Sequence, residues 1–195
     1  MMIQKFSDQF TDFLLFKGII ENENREIYAY GFVALFSTVI NIIILITIGL
    51  ITGLLFETII FMLMFGVLRV YCGGYHAQSN VSCILIFVMI YGLSMAVVKF
   101  LPADFHGTFS LILGITSFLI IFLLAPIEHK NKPFIGDEYR KFRIMSIIIA
   151  AIELMALCFI IKFFPGSIEV ALLISLAMLG VAFILILAKV TEKRR

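Results

Sequence analysis

Six apolar segments take up most of this chain, and a water-soluble fold of its length has no core large enough to hide them all. They run over residues 28–51, 56–71, 82–100, 109–125, 144–164 and 168–190. A helix needs about 20 mostly apolar residues to cross the hydrocarbon layer. No water is available there to bond exposed amides, so a helix, which satisfies its own backbone, is the solution. Composition agrees: 62% of the 195 residues are hydrophobic and the mean hydropathy is +1.12, against roughly 45–50% apolar in a soluble domain. The segments therefore predict an all-α, polytopic membrane protein with six transmembrane helices.

The sequence reads as one integral membrane unit over residues 1–195, with an interfacial segment at 1–26, a membrane body at 27–190 and a basic tail at 191–195. Gly49 to Gly53, Leu101-Pro102 and Pro165-Gly166 serve as turns. No secretory leader is expected, because Asp8 and Asp12 interrupt the N-terminal stretch. In that stretch Ile3, Phe6, Phe10, Phe13 and Leu14 recur at helical spacing, and Gln4, Ser7, Asp8, Thr11 and Asp12 fill the other face. This predicts an amphipathic helix, either lying in the membrane interface or packed against the protein's own spans.

Charge sets the orientation. Lys5, Lys17, Arg25, Arg69, Lys130, Lys132, Arg140, Lys141, Arg143, Lys189, Lys193, Arg194 and Arg195 fall on one side of a six-span arrangement, and only Lys99 and Lys162 on the other. Positive residues concentrate on the cytoplasmic face. Both termini and the connection after the second span are therefore expected in the cytoplasm. The net charge of +2 offers nothing to nucleic acid.

That connection is the unusual one. The stretch "VLRVYCGGYHAQSNVSC", residues 67–83, breaks an apolar run with an arginine, a glycine pair, a histidine, small polar residues and two cysteines. It holds the ingredients of a cysteine nucleophile with a histidine base. A thiol attacks well only as thiolate, which a neighbouring imidazole favours. On a straight helix His76 and Cys83 would sit about 10 Å apart along the axis, so a break between them is required. Gly73-Gly74 and Asn80 supply it. Cys83 then opens the third span, near a helix N-terminus that also favours the thiolate.

Each of these residues has a plainer use. His76 alone reads as an interfacial side chain, Cys83 as a small buried hydrophobe, Gly73-Gly74 as a turn, and Arg69 as a snorkelling cation or a clamp for a carboxylate or phosphate. Cys72, His76 and Cys83 could together ligate a metal, but their spacing matches no CxxC or HExxH pattern, so no metal and no cofactor is expected. His106 and His129 read as surface residues and Cys158 as packing. The odd cysteine count does not suggest a disulfide scaffold.

A second stretch, "APIEHKNKPFIGDEYRKFR", holds two helix-stopping prolines, Pro126 and Pro133, and collects five cationic side chains. It reads either as an ordinary basic cytoplasmic loop facing anionic lipid, or as a docking surface for an acidic peptide segment.

The sequence Arg69, Gly73-Gly74-x-His76-Ala77 and then Cys83 resembles the signature of the accessory gene regulator B family (AgrB), membrane cysteine endopeptidases of bacterial peptide quorum sensing. Chain length, the N-terminal segment, the six-span body and the Pro- and Lys-rich loop resemble it too. The resemblance implies an AgrD-like precursor peptide as substrate, with an amphipathic leader, a central signal and an acidic tail. It implies that Cys83 attacks the bond before the tail, with His76 as base and then acid. A thioester results, and an internal cysteine or serine closes it to a thiolactone or lactone. It gives Arg69 and Gly74 supporting roles, implies a homodimer, and makes Lys130 and Lys132 suited to the acidic tail. Cys72 is a departure from the signature: it lies near His76 as a second thiol that could compete or pair off in a disulfide.

The reading from a different class is a small transporter or lipid-binding membrane protein, in which intramembrane polar groups line a pathway. Glu153 and Asn41 are the main polar residues inside the spans. The two readings part on chemistry, since only the protease needs the Cys83 thiol.

Overall fold

The computed structural model describes residues 2–73, 80–128, 134 and 136–193. It is helical throughout these residues except for turns and one isolated bridge between Gly73 and Ile127. The helices are α1 (Met2–Phe16), α2 (Arg25–Thr52), α3 (Leu55–Cys72), α4 (Asn80–Phe100), α5 (Ala103–Leu124), α6 (Glu138–Phe163) and α7 (Ile168–Lys193). Six of them, α2 to α7, are long and apolar enough to cross a membrane. The chain is a multi-pass membrane protein, as the apolar segments predict.

Boundaries move where local chemistry decides them. The fourth span, α5, begins at Ala103, not near 109, because Pro102 can end one helix and precede the next at no cost in hydrogen bonds. The fifth span begins at Glu138, so its first turns carry Arg140, Lys141 and Arg143. Charged side chains at a helix end can reach headgroups, so helicity outlasts the apolar run.

The helix most completely enclosed is α7. It packs on α3, α4, α5 and α6, and Ala171, Leu172, Leu173, Ile174, Leu176, Ala177 and Met178 are buried in succession. A helix apolar all round belongs in the interior. With lipid outside, the hydrophobic effect does not choose between neighbours, and close approach does. Gly180 provides it: a Cβ there would lie 2.8 Å from Cγ2 of Ile90 and 3.2 Å from Cε2 of Phe65, contacts from two different helices.

The amphipathic helix α1 settles against α2 with its small polar residues buried and Phe10 in contact, while its other phenylalanines stay outward. Ser7 and Thr11 are fully buried. Phe6 is 62% and Phe16 85% exposed. Phe10 meets Phe32 of α2 edge-on, 4.8 Å between centroids, and Arg25 binds Asp12 at 2.7 Å. Of the two expected roles, packing on a span is what this arrangement shows, and it leaves an apolar face turned outward.

Two expectations are corrected. His106 is not a surface residue: it is 8% exposed, and its Nε2 lies 2.9 Å from the Leu101 carbonyl, in the turn before α5. An unpaired carbonyl between two spans needs such a partner. Cys158 does not fill the core; it lies exposed on the outward face of α6. His129 lies outside the described residues.

Candidate active site

The odd stretch separates two helices, as its glycine pair and polar residues predict. Helix α3 ends at Cys72, and α4 begins at Asn80. Gly73 starts the break with φ +65° and ψ −140°, a region essentially reserved for glycine. Its surroundings add a second reason. The Ile127 backbone N–H donates to the Cys72 carbonyl at 3.1 Å, and a Cβ on Gly73 would run into the Ile127 carbonyl oxygen. The close approach satisfies the C-terminal carbonyl of α3, which a helix end otherwise leaves unpaired.

This contact ties the second unusual stretch to the first. Arg143 Nη1 donates to the Ala125 carbonyl at 3.1 Å, just beyond the end of α5, where a cation is favoured. The Phe134 amide donates to Glu128 at 2.7 Å. Phe134 packs on Phe142, 5.4 Å between centroids, and Phe142 on Tyr71 of α3 at 5.9 Å. Both flanks of the lysine-bearing loop are thereby held beside the end of α3. Lys130 and Lys132 themselves lie outside the described residues.

Of the sequence-predicted site residues, the structure brings Arg69, Gly73 and Cys83 to one end of the bundle. Arg69 sits in the last turn of α3 and Cys83 in the first turn of α4. The Arg69 guanidinium is within electrostatic reach of the Cys83 and Cys72 thiols and of Tyr30 on α2. Cys83 is half-buried, whereas Cys72 is fully buried. Gly74 and His76 lie outside the described residues. Among the described residues no group of three metal-ligating side chains occurs.

Sequence reasoning missed Tyr30. It lies in no motif, and nothing in its neighbours along the chain marks it. Only the packing of α2 on both α3 and α4 brings it near Arg69.

A helical bundle with a half-buried thiol opening one span, beside an arginine closing the previous one, defines a class: polytopic membrane proteins with a candidate thiol centre at the membrane edge. Comparison with known families narrows it. The model of the family "AgrB: Accessory gene regulator B" matches residues 3–188, and the chain belongs to that family. A putative AgrB-like protein 2 of Clostridium perfringens (strain 13 / Type A) is 33% identical over 129 residues, 62% of this chain and 59% of that protein. A putative AgrB-like protein of C. perfringens (strain SM101 / Type A) is 30% identical over 148 residues, 72% of this chain and 68% of that protein. One from Listeria monocytogenes serotype 4a (strain HCC23) is 32% identical over 137 residues, 69% of this chain and 65% of that protein. The chain thus spans from just under three fifths to about two thirds of these relatives' length. No solved structure gives a significant match.

Proposed function

We propose that this chain is a membrane cysteine endopeptidase that removes the C-terminal tail of an AgrD-like precursor peptide and assists its cyclisation for quorum sensing. The observation that carries the reading is the half-buried Cys83 thiol at the start of α4, beside Arg69 at the end of α3. Family membership supports the substrate class.

In this reading the Cys83 sulfur attacks the carbonyl carbon before the tail, and His76 takes the thiol proton. His76 returns it to the departing amine, the C–N bond breaks, and the peptide remains as a thioester on Cys83. A cysteine thiol or serine hydroxyl within the peptide then attacks the same carbonyl. The C–S bond to Cys83 breaks, its sulfur regains a proton, and a thiolactone or lactone ring leaves. The thioester keeps the acyl group activated, so no ATP is required. Limited water at the membrane edge slows hydrolysis. The competing thiol, Cys72, is enclosed by apolar neighbours where a peptide carbonyl has no access. Arg69 offers a cation to a carboxylate. Lys130 and Lys132, in a loop whose flanks are held against α3, suit an acidic tail. The site faces the cytoplasm, where the cationic side chains gather.

The test is processing of purified precursor in proteoliposomes. Cys83→Ala and His76→Ala are expected to abolish tail release while the protein keeps its helical content and melting temperature. Normal processing by either variant overturns the roles assigned here, and a wild-type protein that releases no tail in this assay points to the transporter reading instead.

A further inference from the structure

Helix α2 carries two polar atoms with no use in the mechanism above. Ala29, Val33, Leu45 and Gly49 of this helix are buried, and Ser37 and Asn41 lie half-buried between them, one turn apart on one side of the helix. Ser37 Oγ and Asn41 Oδ1 are both buried, and neither has a hydrogen-bond partner. Ser7 Oγ and Ser117 Oγ share that state, while other helix hydroxyls bond their own backbone. Thr38, Thr47, Ser94 and Ser110 each donate to the carbonyl four residues back on their own helix. Ser37 turns away from that acceptor. A buried polar atom without a partner is destabilising and calls for an explanation.

The register of three helices places these atoms. At the far end, a Cβ on Gly49 of α2 would lie 2.5 Å from Thr58 Oγ1 of α3, and Thr58 Oγ1 bonds Tyr91 Oη of α4 at 2.6 Å. Gly49, Thr58 and Tyr91 therefore share one level. Counting from it at about 1.5 Å per residue, Asn41 on α2 and Cys83 on α4 both lie about 12 Å along the bundle. Arg69 on α3 lies about 16 Å and Ser37 about 18 Å along it. The unpartnered pair on α2 thus sits near the depth of the candidate nucleophile and its arginine, seven and eleven residues after Tyr30 and so on the side of the helix it shares, and Tyr30 is within electrostatic reach of Arg69 and Cys83.

We propose that Asn41 and Ser37 form a backbone-binding ledge that holds an extended segment of the substrate peptide in line with Cys83. The proposal deepens the peptide-processing reading and rests on it. Asn41 Oδ1 accepts a peptide N–H, and Ser37 Oγ donates to a peptide C=O one turn along. An extended segment entering a water-poor site must leave its amide hydration behind, and these two groups replace it. Recognition through the backbone is indifferent to side chains, so the ledge serves positioning and leaves sequence selectivity to other contacts. The unbound protein carries the cost of two unbonded polar atoms, and binding relieves it.

The experiment compares wild-type and Asn41→Leu protein, each also carrying Cys83→Ala to prevent turnover, in nanodiscs. The probe is a synthetic AgrD-like peptide, and a second set has single backbone amides near the scissile bond replaced by esters. Asn41→Leu is expected to melt at the same temperature or higher, since it removes an unpaired buried group. It is expected to bind the peptide about five- to tenfold more weakly, the range for one net hydrogen bond. One ester peptide is expected to lose a similar factor with the Asn41 protein and nothing further with the leucine variant, because the two changes delete the same bond. Ser37→Ala should follow the same pattern with a different set of partners. A lowered melting temperature with unchanged affinity makes Asn41 structural and overturns the proposal. Losses that multiply, or affinity unaltered in both variants, overturn it too and leave the endopeptidase reading standing. Failure of the Asn41 protein to bind the peptide at all removes that reading, and this proposal with it.

Discussion

At Gly73 the backbone takes φ +65° against the Ile127 carbonyl, and two independent requirements meet in one residue. A side chain there would be strained by its φ and would also displace the 125–127 segment. Gly73→Ala is expected to cost about 1–3 kcal/mol of local stability, to loosen the loop flanks from α3, and to reduce tail cleavage at least tenfold. Limited proteolysis between α5 and α6 and single-turnover cleavage check this; an unchanged protease pattern with full cleavage counts against it. The glycine pair is legible in the sequence as a turn, but its partner is not, because Ile127 is distant along the chain. The place of Cys83 at the opening of a span is legible for the opposite reason: it follows from the polar break just before it, and short-range spacing suffices. The same logic explains His106 and Cys158. A histidine between spans and a cysteine inside one look like surface and core from the sequence. Their environments depend on which face of α5 or α6 meets the bundle.

At the scale of elements, α7 and α1 show how far periodicity reaches. Both were readable as helices, α7 from sustained apolarity and α1 from its two faces. The face each presents to its neighbours was not. Between membrane helices the apolar residues gain nothing by meeting each other instead of lipid, so small and polar residues decide the contacts: Ser7 and Thr11 for α1, Gly180 for α7. Gly180→Val is accordingly expected to force Phe65 and Ile90 apart and to lower stability by about 1–3 kcal/mol, the usual cost of overpacking. Thermal melting in detergent checks it, with Gly166→Val as control, since nothing lies within 4 Å of a Cβ there. Equal melting temperatures for the two variants would remove Gly180 from the packing seam.

For the whole molecule, charge asymmetry predicts that both termini face the cytoplasm, and six spans are consistent with that. The expectation is testable in cells on a background without native cysteines. A single cysteine introduced by Lys99→Cys or Lys162→Cys should react with a membrane-impermeant maleimide added outside. One introduced by Lys130→Cys or Lys189→Cys should react only after the membrane is opened. The reverse pattern would invert the topology and place the candidate site on the outer face.

The number of spans, the amphipathic N-terminal helix, the break between α3 and α4 and the thiol that follows it were all determined by the sequence alone. They depend on hydrophobic runs, glycine conformation and spacing over a few residues, which are local properties. The central place of α7, the tie between Gly73 and Ile127, the approach of Tyr30 to Arg69 and the unpartnered atoms of Ser37 and Asn41 were decided by tertiary structure. Each is a relation between residues on different helices. In a bilayer, where every span is apolar and any pairing buries similar surface, only the close fit of particular side chains selects which helices meet.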